Sequence, residues 1–391
     1  MSLVGTQAKP KSLLGFHRIL APTAGVRVSP LCLGSMTFGD AWKQMIGECS
    51  KETVFEMLDY FFEMGGNFID TANNYQAEQS ELWIGEWMAS RKNRDEIVLA
   101  TKFTCHWPAI SFTPKIMANY QGQHAKSLHT SLEASLKKLQ TSYIDVLYVH
   151  WWDFTTSIPE VMQSLNHLVA QGKVLYLGIS DTPAWVVSKA NQYARDHNLR
   201  PFSIYQGRWS AAARDFERDI IPMCRDEGMA LAPWGALGEG QFKTEEQKKN
   251  ATSFRASMPA PEEKIKISAT LEKIAKTKDT ALTSVALAYV MHKAPNVYPV
   301  IGGRNVNHLK ASIQALSIEL SDEEMDEIED TIPFDIGFPM SFVFELYGKQ
   351  KYKSKMTGAD LPLLKSAATL DVQEWPRPIK PHKLSDAEEM K

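Results

Sequence analysis

Eight times along this chain, a short run of apolar, often β-branched residues gives way to an amphipathic stretch with helical spacing. The runs are VSPLCLG (28–34), NFID (67–70), EIVLATK (96–102), IDVLYVH (144–150), VLYLGIS (174–180), FSIYQ (202–206), MALAPW (229–234) and VYPVIGG (297–303). Several are apolar throughout rather than alternating, as parallel strands buried on both faces require. The intervening stretches read as helices. In 124–140 an apolar stripe is formed by Leu128, Leu132, Leu136 and Leu139. Residues 50–64 run to the helix stop Gly65-Gly66, and in 181–197 Asp181 or Thr182 is placed to cap, with Pro183 in the first turn. Eight β-then-α units predict an α/β chain folded as a (β/α)8 TIM barrel with its helices outside. A doubly wound sheet is the main rival, but it usually carries G-x-G-x-x-G after a strand, and neither that string nor a P-loop occurs here.

Two further segments lie outside this rhythm. Residues 16–29 read as a short N-terminal hairpin turning at Pro22-Thr23-Ala24-Gly25. Residues 321–331 open with Ser321-Asp322-Glu323-Glu324, a capping box, and predict an extra C-terminal helix. The rhythm stops near residue 345, so the expected organisation is one barrel domain over 1–345 and an irregular Lys- and Pro-rich tail over 346–391.

Composition removes several function classes. The chain has 46 acidic and 43 basic side chains, and no basic stripe lies on a periodic segment, so no nucleic-acid partner is expected. No apolar run reaches membrane-spanning length, and the N-terminus lacks the apolar core of a signal peptide. Cys32, Cys49, Cys105 and Cys224 are scattered without a CxxC, which fits a reducing, cytoplasmic setting. The Asn250-Ala251-Thr252 sequon is accordingly read as chance. With no strong apolar seam, a monomer or homodimer is expected, with a small molecule as partner.

A barrel places its chemistry at the C-terminal ends of its strands. There the sequence sets Asp70, followed five residues on by Tyr75, then Lys102, His150, Ser180-Asp181, Gln206 and Trp234. Taken singly, an Asp there is usually a helix cap, a Lys or Tyr a solvated rim residue, and a His as readily a core residue. Together they suit carbonyl reduction, which needs hydride on carbon and a proton on oxygen. A free tyrosine, with a pKa of about 10, is a poor acid at neutral pH. Lys102 would lower that value, Asp70 would hold Lys102 by a salt bridge, and His150 could orient the carbonyl oxygen.

Over roughly residues 15–330 the chain resembles the aldo-keto reductase superfamily, through GGNFIDTANNY (65–75), IVLATKF (97–103), DVLYVHWWD (145–153), YLGISDTPAW (176–185) and VIGGRNVNHL (300–309). HWWDFTTSIPEVM (150–162) and LVAQGKVLYLGISDTPAWVV (168–187) look closer to its fungal aryl-alcohol dehydrogenase and norsolorinic acid reductase branch. The resemblance implies a catalytic tetrad at Asp70, Tyr75, Lys102 and His150, and NADP(H) bound without a Rossmann fold. Cofactor contacts are implied at Asp70, at Ser180, Asp181 and Gln206 around the carboxamide, and at Trp234 stacked on the nicotinamide. The GALGEGQF loop, including Gly235, Ala236, Leu237, Gly238, Gly240 and Gln241, would cover the pyrophosphate. Arg304 and His308 would meet the adenosine 2′-phosphate, and Ser312 the adenine. Three departures stand out: Asp181 replaces the usual asparagine, Gln76 the usual glycine after the tyrosine, and Ser312 a common asparagine. Trp107, Trp151 and Trp152 are candidates for an aromatic substrate wall. The implied activity is reversible reduction of an aryl aldehyde or ketone, either lignin-type or a polyketide such as norsolorinic acid in sterigmatocystin/aflatoxin-type biosynthesis. Alternatives are an NADPH-binding regulatory subunit with little turnover, or a cofactor-free barrel lyase or isomerase.

Overall fold

A computed structural model describes residues 9–385 except 245, 248–258, 349 and 354. The Asn250-Ala251-Thr252 sequon, residues 1–8 and the last six residues lie outside the described residues.

A hairpin of β1 (Arg18–Ala21) and β2 (Ala24–Val28) precedes eight parallel strands: β3 (Cys32–Gly34), β4 (Phe68–Asp70), β5 (Val98–Phe103), β6 (Ile144–Val149), β7 (Val174–Ser180), β8 (Phe202–Arg208), β9 (Ala230–Trp234) and β10 (Val300–Ile301). Each barrel strand pairs with the next in sequence, and β10 pairs with β3. At the last seam, the Leu231 amide donates to the Asn296 carbonyl and the Tyr298 amide to the Leu231 carbonyl, at 3.0 and 2.8 Å. The result is a nearly closed (β/α)8 barrel, and each of the eight apolar runs contributes one of its strands.

Alternation along the strands sorts the side chains into two cores. Leu33, Ile69, Leu99, Phe103, Leu147, Val149, Leu177 and Ile179 face outward and join the helices in one large cluster. Cys32, Phe68, Val98, Ala100, Val146, Tyr148, Ile204, Ala230 and Ala232 face inward and fill the barrel. Leu20, Ala21, Ala24 and Val28 of the hairpin belong to this inner cluster, and Tyr298 Oη donates to the Ile19 carbonyl at 2.6 Å. The hairpin therefore plugs the N-terminal end of the barrel. Continuing the same alternation by one step at the other end brings Asp70, Lys102, His150, Ser180, Gln206 and Trp234 into a single inward ring.

The helices follow their signals. In α1 (Lys43–Ile46) no residue is buried, whereas α2 (Lys51–Glu63) is capped by Ser50 and buries Val54, Met57, Leu58 and Phe61. Between them and β6 come α3 (Gln79–Arg91) and α4 (Ala125–Lys138), followed by α5 (Ile158–Ala170) and α6 (Ala184–Asp196). The start of α6 differs from expectation: Pro183 itself occupies the N-cap and no side chain caps it. Asp181 instead takes a left-handed conformation, φ 42°, and turns toward Trp234, while the Thr182 hydroxyl donates to the Ser180 carbonyl.

Beyond α7 (Ile220–Asp226) lie α8 (Glu262–Thr277), α9 (Leu282–Lys293), α10 (Val306–Gln314) and α11 (Asp322–Asp330). The last begins with the expected capping box on Ser321 and Glu324. After α12 (Met340–Phe344) the chain is mostly irregular, with a short α13 (Pro362–Lys365). It is nonetheless anchored: the Trp375 indole donates to the Met356 carbonyl under the Arg225 guanidinium, and His382 stacks on Phe16.

Inside the barrel Tyr148 fits because Gly178 on the adjacent strand has no side chain. A Cβ there would lie 2.4 Å from the Tyr148 ring. Gly178→Ala is therefore expected to lower unfolding stability by about 2 kcal/mol, measured by urea denaturation. An unchanged midpoint would show that the ring can move aside.

Candidate active site

The inward ring at the C-terminal end is organised around one ion pair. Lys102 Nζ lies 2.5 Å from Asp70 Oδ2, and both side chains are buried. The ammonium uses its other hydrogens on the Thr71 carbonyl at 2.7 Å and the Tyr75 hydroxyl at 3.4 Å. The second carboxylate oxygen of Asp70 accepts from the Gln206 amide at 3.0 Å. Lys102 thus has three acceptors for three N–H groups, which is what a buried ammonium needs.

Tyr75 does not sit on the strand. It begins a tight turn in which Gln76, Ala77 and Glu78 all have positive φ, at 50°, 50° and 82°. This turn swings the phenol back over the barrel mouth, where its ring packs edge-on to His150 at 5.8 Å and to Trp42 at 6.4 Å. Such conformations cost about 1–3 kcal/mol each and persist where the surroundings enforce them.

Burial sets the protonation states. The Tyr75 phenol is pushed up to about 12, because burial outweighs the attraction of Lys102. The sequence reasoning weighed only the cation and expected the opposite direction; the missing factor is the loss of water around a would-be phenolate. Burial alone would lower Lys102, but Asp70 and Tyr75 beside it push it up to about 12. His150 drops to about 3 through burial and the nearby Lys102 charge. At neutral pH the site therefore holds a neutral phenol, an ammonium and a neutral imidazole. The His150 Nδ1 faces Cys105 Sγ at 3.4 Å, and that sulfur accepts from the Trp151 indole at 3.3 Å. A thiol that donates to Nδ1 would leave the imidazole proton on Nε2, whereas an Nδ1–H would donate to the sulfur.

Along the neighbouring strand ends, the Ser180 hydroxyl donates to Asp181 at 2.9 Å, and the Trp234 indole reaches both Asp181 oxygens at 3.2 Å. Burial pushes the Asp181 carboxyl up, against the pull of these two donors. Beyond Trp234, Gly235, Gly238, Glu239 and Gly240 have φ of 73°, 63°, 60° and 81°. These turns fold the loop back on itself: the Gly238, Gly240 and Gln241 amides donate to the Gly235, Leu237 and Gly238 carbonyls at 2.8, 3.1 and 3.1 Å. Ala236 is buried within this loop. Arg208 and Lys264 flank it through Glu239, and Lys264 also donates to the Gly238 carbonyl.

At the start of α10, capped by Asn305, the Arg304 amide donates to His308 Nδ1, and the Arg304 guanidinium reaches the Ile46 carbonyl. Ser312 is buried and spends its hydroxyl on the His308 carbonyl. Among the described residues, no group of three or more His, Cys, Asp or Glu side chains is arranged to hold a metal ion.

The chain matches the aldo/keto reductase family over residues 30–333. It belongs to that family. It is 58% identical to norsolorinic acid reductase A of Aspergillus parasiticus, with 96% of each chain covered. It is also 58% identical to an aryl-alcohol dehydrogenase of Pestalotiopsis microspora, over 85% of this chain and 86% of that one. A putative aryl-alcohol dehydrogenase of Saccharomyces cerevisiae is 55% identical over 86% and 91%. The protein is an oxidoreductase of a family that generally uses a nicotinamide cofactor.

The three tryptophans singled out from sequence are placed differently from one another. Trp107 is 4% exposed, boxed in by Phe112, Tyr120 and the Lys138 ammonium. Trp152 is 7% exposed and joins the outer core, whereas Trp151 is 39% exposed beside Cys105. Trp42 and Cys105 escaped the sequence reading. Trp42 sits in an irregular segment with no periodicity, and Cys105 looked like one of four scattered thiols.

A histidine held neutral by folding makes stability fall in acid. The unfolded chain takes up its proton at about pH 6.5 and the folded site only at about pH 3. Stability associated with His150 is thus full above the first value and lost progressively below it. His150→Gln should show a shallower stability loss than the parent between those two pH values in urea titrations. Parallel declines would contradict the buried neutral imidazole.

Proposed function

We propose that the protein is an NADP(H)-dependent reductase of aryl aldehydes or ketones, working reversibly on the corresponding alcohols. The observation that carries this reading is the convergence of a neutral phenol, an ammonium and a neutral imidazole at one point of the barrel mouth.

The residues fit the cofactor. Ser180, Asp181 and Gln206 offer polar groups for a carboxamide, with Asp181 as acceptor only. Trp234 presents an indole whose edge is fixed by Asp181. The glycine-rich loop from Gly235 through Leu237 to Gln241 would cover the pyrophosphate, with Arg208 and Lys264 beside it as cations. Arg304 and His308, at a helix N-terminus, suit a 2′-phosphate, and Ser312 lies one helical turn further along. When bound, the nicotinamide supplies hydride to the carbonyl carbon. Tyr75 donates its phenolic proton to the carbonyl oxygen. Lys102, held by Asp70, stabilises the phenolate left behind. The His150 Nε2–H orients the carbonyl oxygen, in the tautomer whose Nδ1 accepts from the Cys105 thiol. The high affinity of the phenol for its proton keeps the acid loaded at neutral pH.

The relatives' names support an aryl carbonyl substrate, flat enough to lie against aromatic side chains. Trp42, packed on Tyr75, and the partly exposed Trp151 would form the aromatic wall, whereas Trp107 and Trp152 are buried. All four cysteines are unpaired, which fits a cytoplasmic enzyme.

Tyr75→Phe is expected to cut reduction of 3,4-dimethoxybenzaldehyde by about 10³-fold while leaving NADPH binding intact. Parent protein that binds NADPH but turns over no aryl carbonyl would support a regulatory subunit instead. Arg304→Ala should weaken NADPH far more than NADH in tryptophan-fluorescence titrations. Equal weakening would remove Arg304 from the 2′-phosphate site.

A further inference from the structure

The turn that follows Tyr75 carries two buried side chains that reach in opposite directions. Gln76 is fully buried; its amide oxygen accepts from the Trp42 amide at 2.8 Å and its amide nitrogen donates to the Met36 carbonyl at 2.9 Å. Gln79 continues this arm, accepting from the Asp40 and Ala41 amides at 3.0 Å. Glu78 is fully buried too. Its Oε1 accepts from the amides of Ala109, Ile110 and Ser111 at 2.8, 2.9 and 3.1 Å, and its Oε2 from the Ser111 hydroxyl at 2.7 Å. Lys138 neutralises Glu78 and Glu81 together, at 3.2 and 2.8 Å, and lies over the Trp107 ring.

The two loops held in this way flank the barrel mouth. One brings Trp42 to Tyr75. The other runs from Cys105 to Gln123 without regular structure, carries Trp107, and exposes Ile110, Phe112 and Ile116. The Trp42 loop has the short α1 and a Gly39–Cys49 bridge and the 105–123 loop has no regular structure, and the side chains of the tyrosine turn supply both with further backbone partners. The three positive φ angles aim these arms to opposite sides. This also accounts for Gln76 standing where glycine is usual: the turn gives up conformational ease to gain a buried amide.

We propose that Gln76 and Glu78 are positioning residues that set the gap between the two loops relative to the Tyr75 hydroxyl, and thereby select for large, flat aryl carbonyls. The inference rests on the reductase reading given above. A small aldehyde needs only Tyr75 and His150. A polycyclic one must also rest on both loops, and so depends on their spacing.

The test compares parent, Gln76→Gly and Glu78→Gln with benzaldehyde and 9-anthraldehyde, alongside NADPH titration and amide hydrogen exchange. Glycine accepts φ near 50°, so the first variant removes the arm without adding strain. The expected result is an increase in KM for 9-anthraldehyde of about tenfold in each variant, with benzaldehyde kcat and NADPH affinity within about twofold of the parent. Exchange should quicken at Trp42 in the first variant and at residues 109–111 in the second. Equal losses with both aldehydes, or unchanged KM for the larger one, would overturn the proposal. If Glu78→Gln fails to fold, Ser111→Ala removes one hydrogen bond while Lys138 keeps its partner, and is read in the same way. A parent protein inactive on every aryl carbonyl would sink the reductase reading instead. The exchange data would still judge the bracket, which fails if the two loops stay equally protected.

Discussion

Everything at the barrel mouth depends on a buried ammonium that has to be neutralised. Lys102 sits among apolar strands with one carboxylate, Asp70, within 2.5 Å. Such a pair contributes little net stability, yet removing either partner strands a charge at a cost of about 3–5 kcal/mol. What it provides is position. With two of its hydrogens committed to Asp70 and Thr71, the ammonium can direct only the third, and that one points at Tyr75. Asp70 is itself held by Gln206 from the far side of the barrel, so the pair ties β4, β5 and β8 together.

The barrel makes this arrangement inexpensive to build. Alternation along parallel strands sends every second side chain inward, and the inner core below is plugged by the hairpin and filled by Phe68, Tyr148 and their neighbours. The polar ring is simply the last inward layer before solvent. It has a dry floor and an open top, which accounts for His150 being neutral and the Tyr75 phenol so reluctant to ionise. A phenol of that kind is a stored proton rather than a ready base, which suits reduction of a carbonyl near neutral pH.

The sequence pattern located all eight barrel strands, the hairpin and the capped helix after Ser321, because each rests on a local rule: apolar runs, turn residues, a capping box. Asp70, Lys102 and His150 were legible for a related reason, since an ionisable residue closing an apolar run is costly without a purpose. Three other features were hidden because they depend on tertiary burial. The direction of the Tyr75 shift could not be read from its cationic neighbour alone. The inward turn of Trp107 depends on Phe112, Tyr120 and Lys138, which no spacing rule brings together. Asp181 and Thr182 looked like caps for α6, but the left-handed turn at Asp181 serves Trp234 and leaves Pro183 to open the helix. Trp42 lies in a loop without period, and its place beside Tyr75 depends on Gln76, thirty-four residues along the chain.

The central claim is that the Lys102 ammonium, fixed by Asp70, makes Tyr75 a competent proton donor for hydride reduction. The most direct measurement is single-turnover reduction of benzaldehyde at saturating NADPH by the parent and by Lys102→Met, with cofactor binding followed by tryptophan fluorescence. The account predicts a rate lower by about 10³-fold in the variant with NADPH still bound. A rate within about tenfold of the parent, with the cofactor bound equally well, would contradict it.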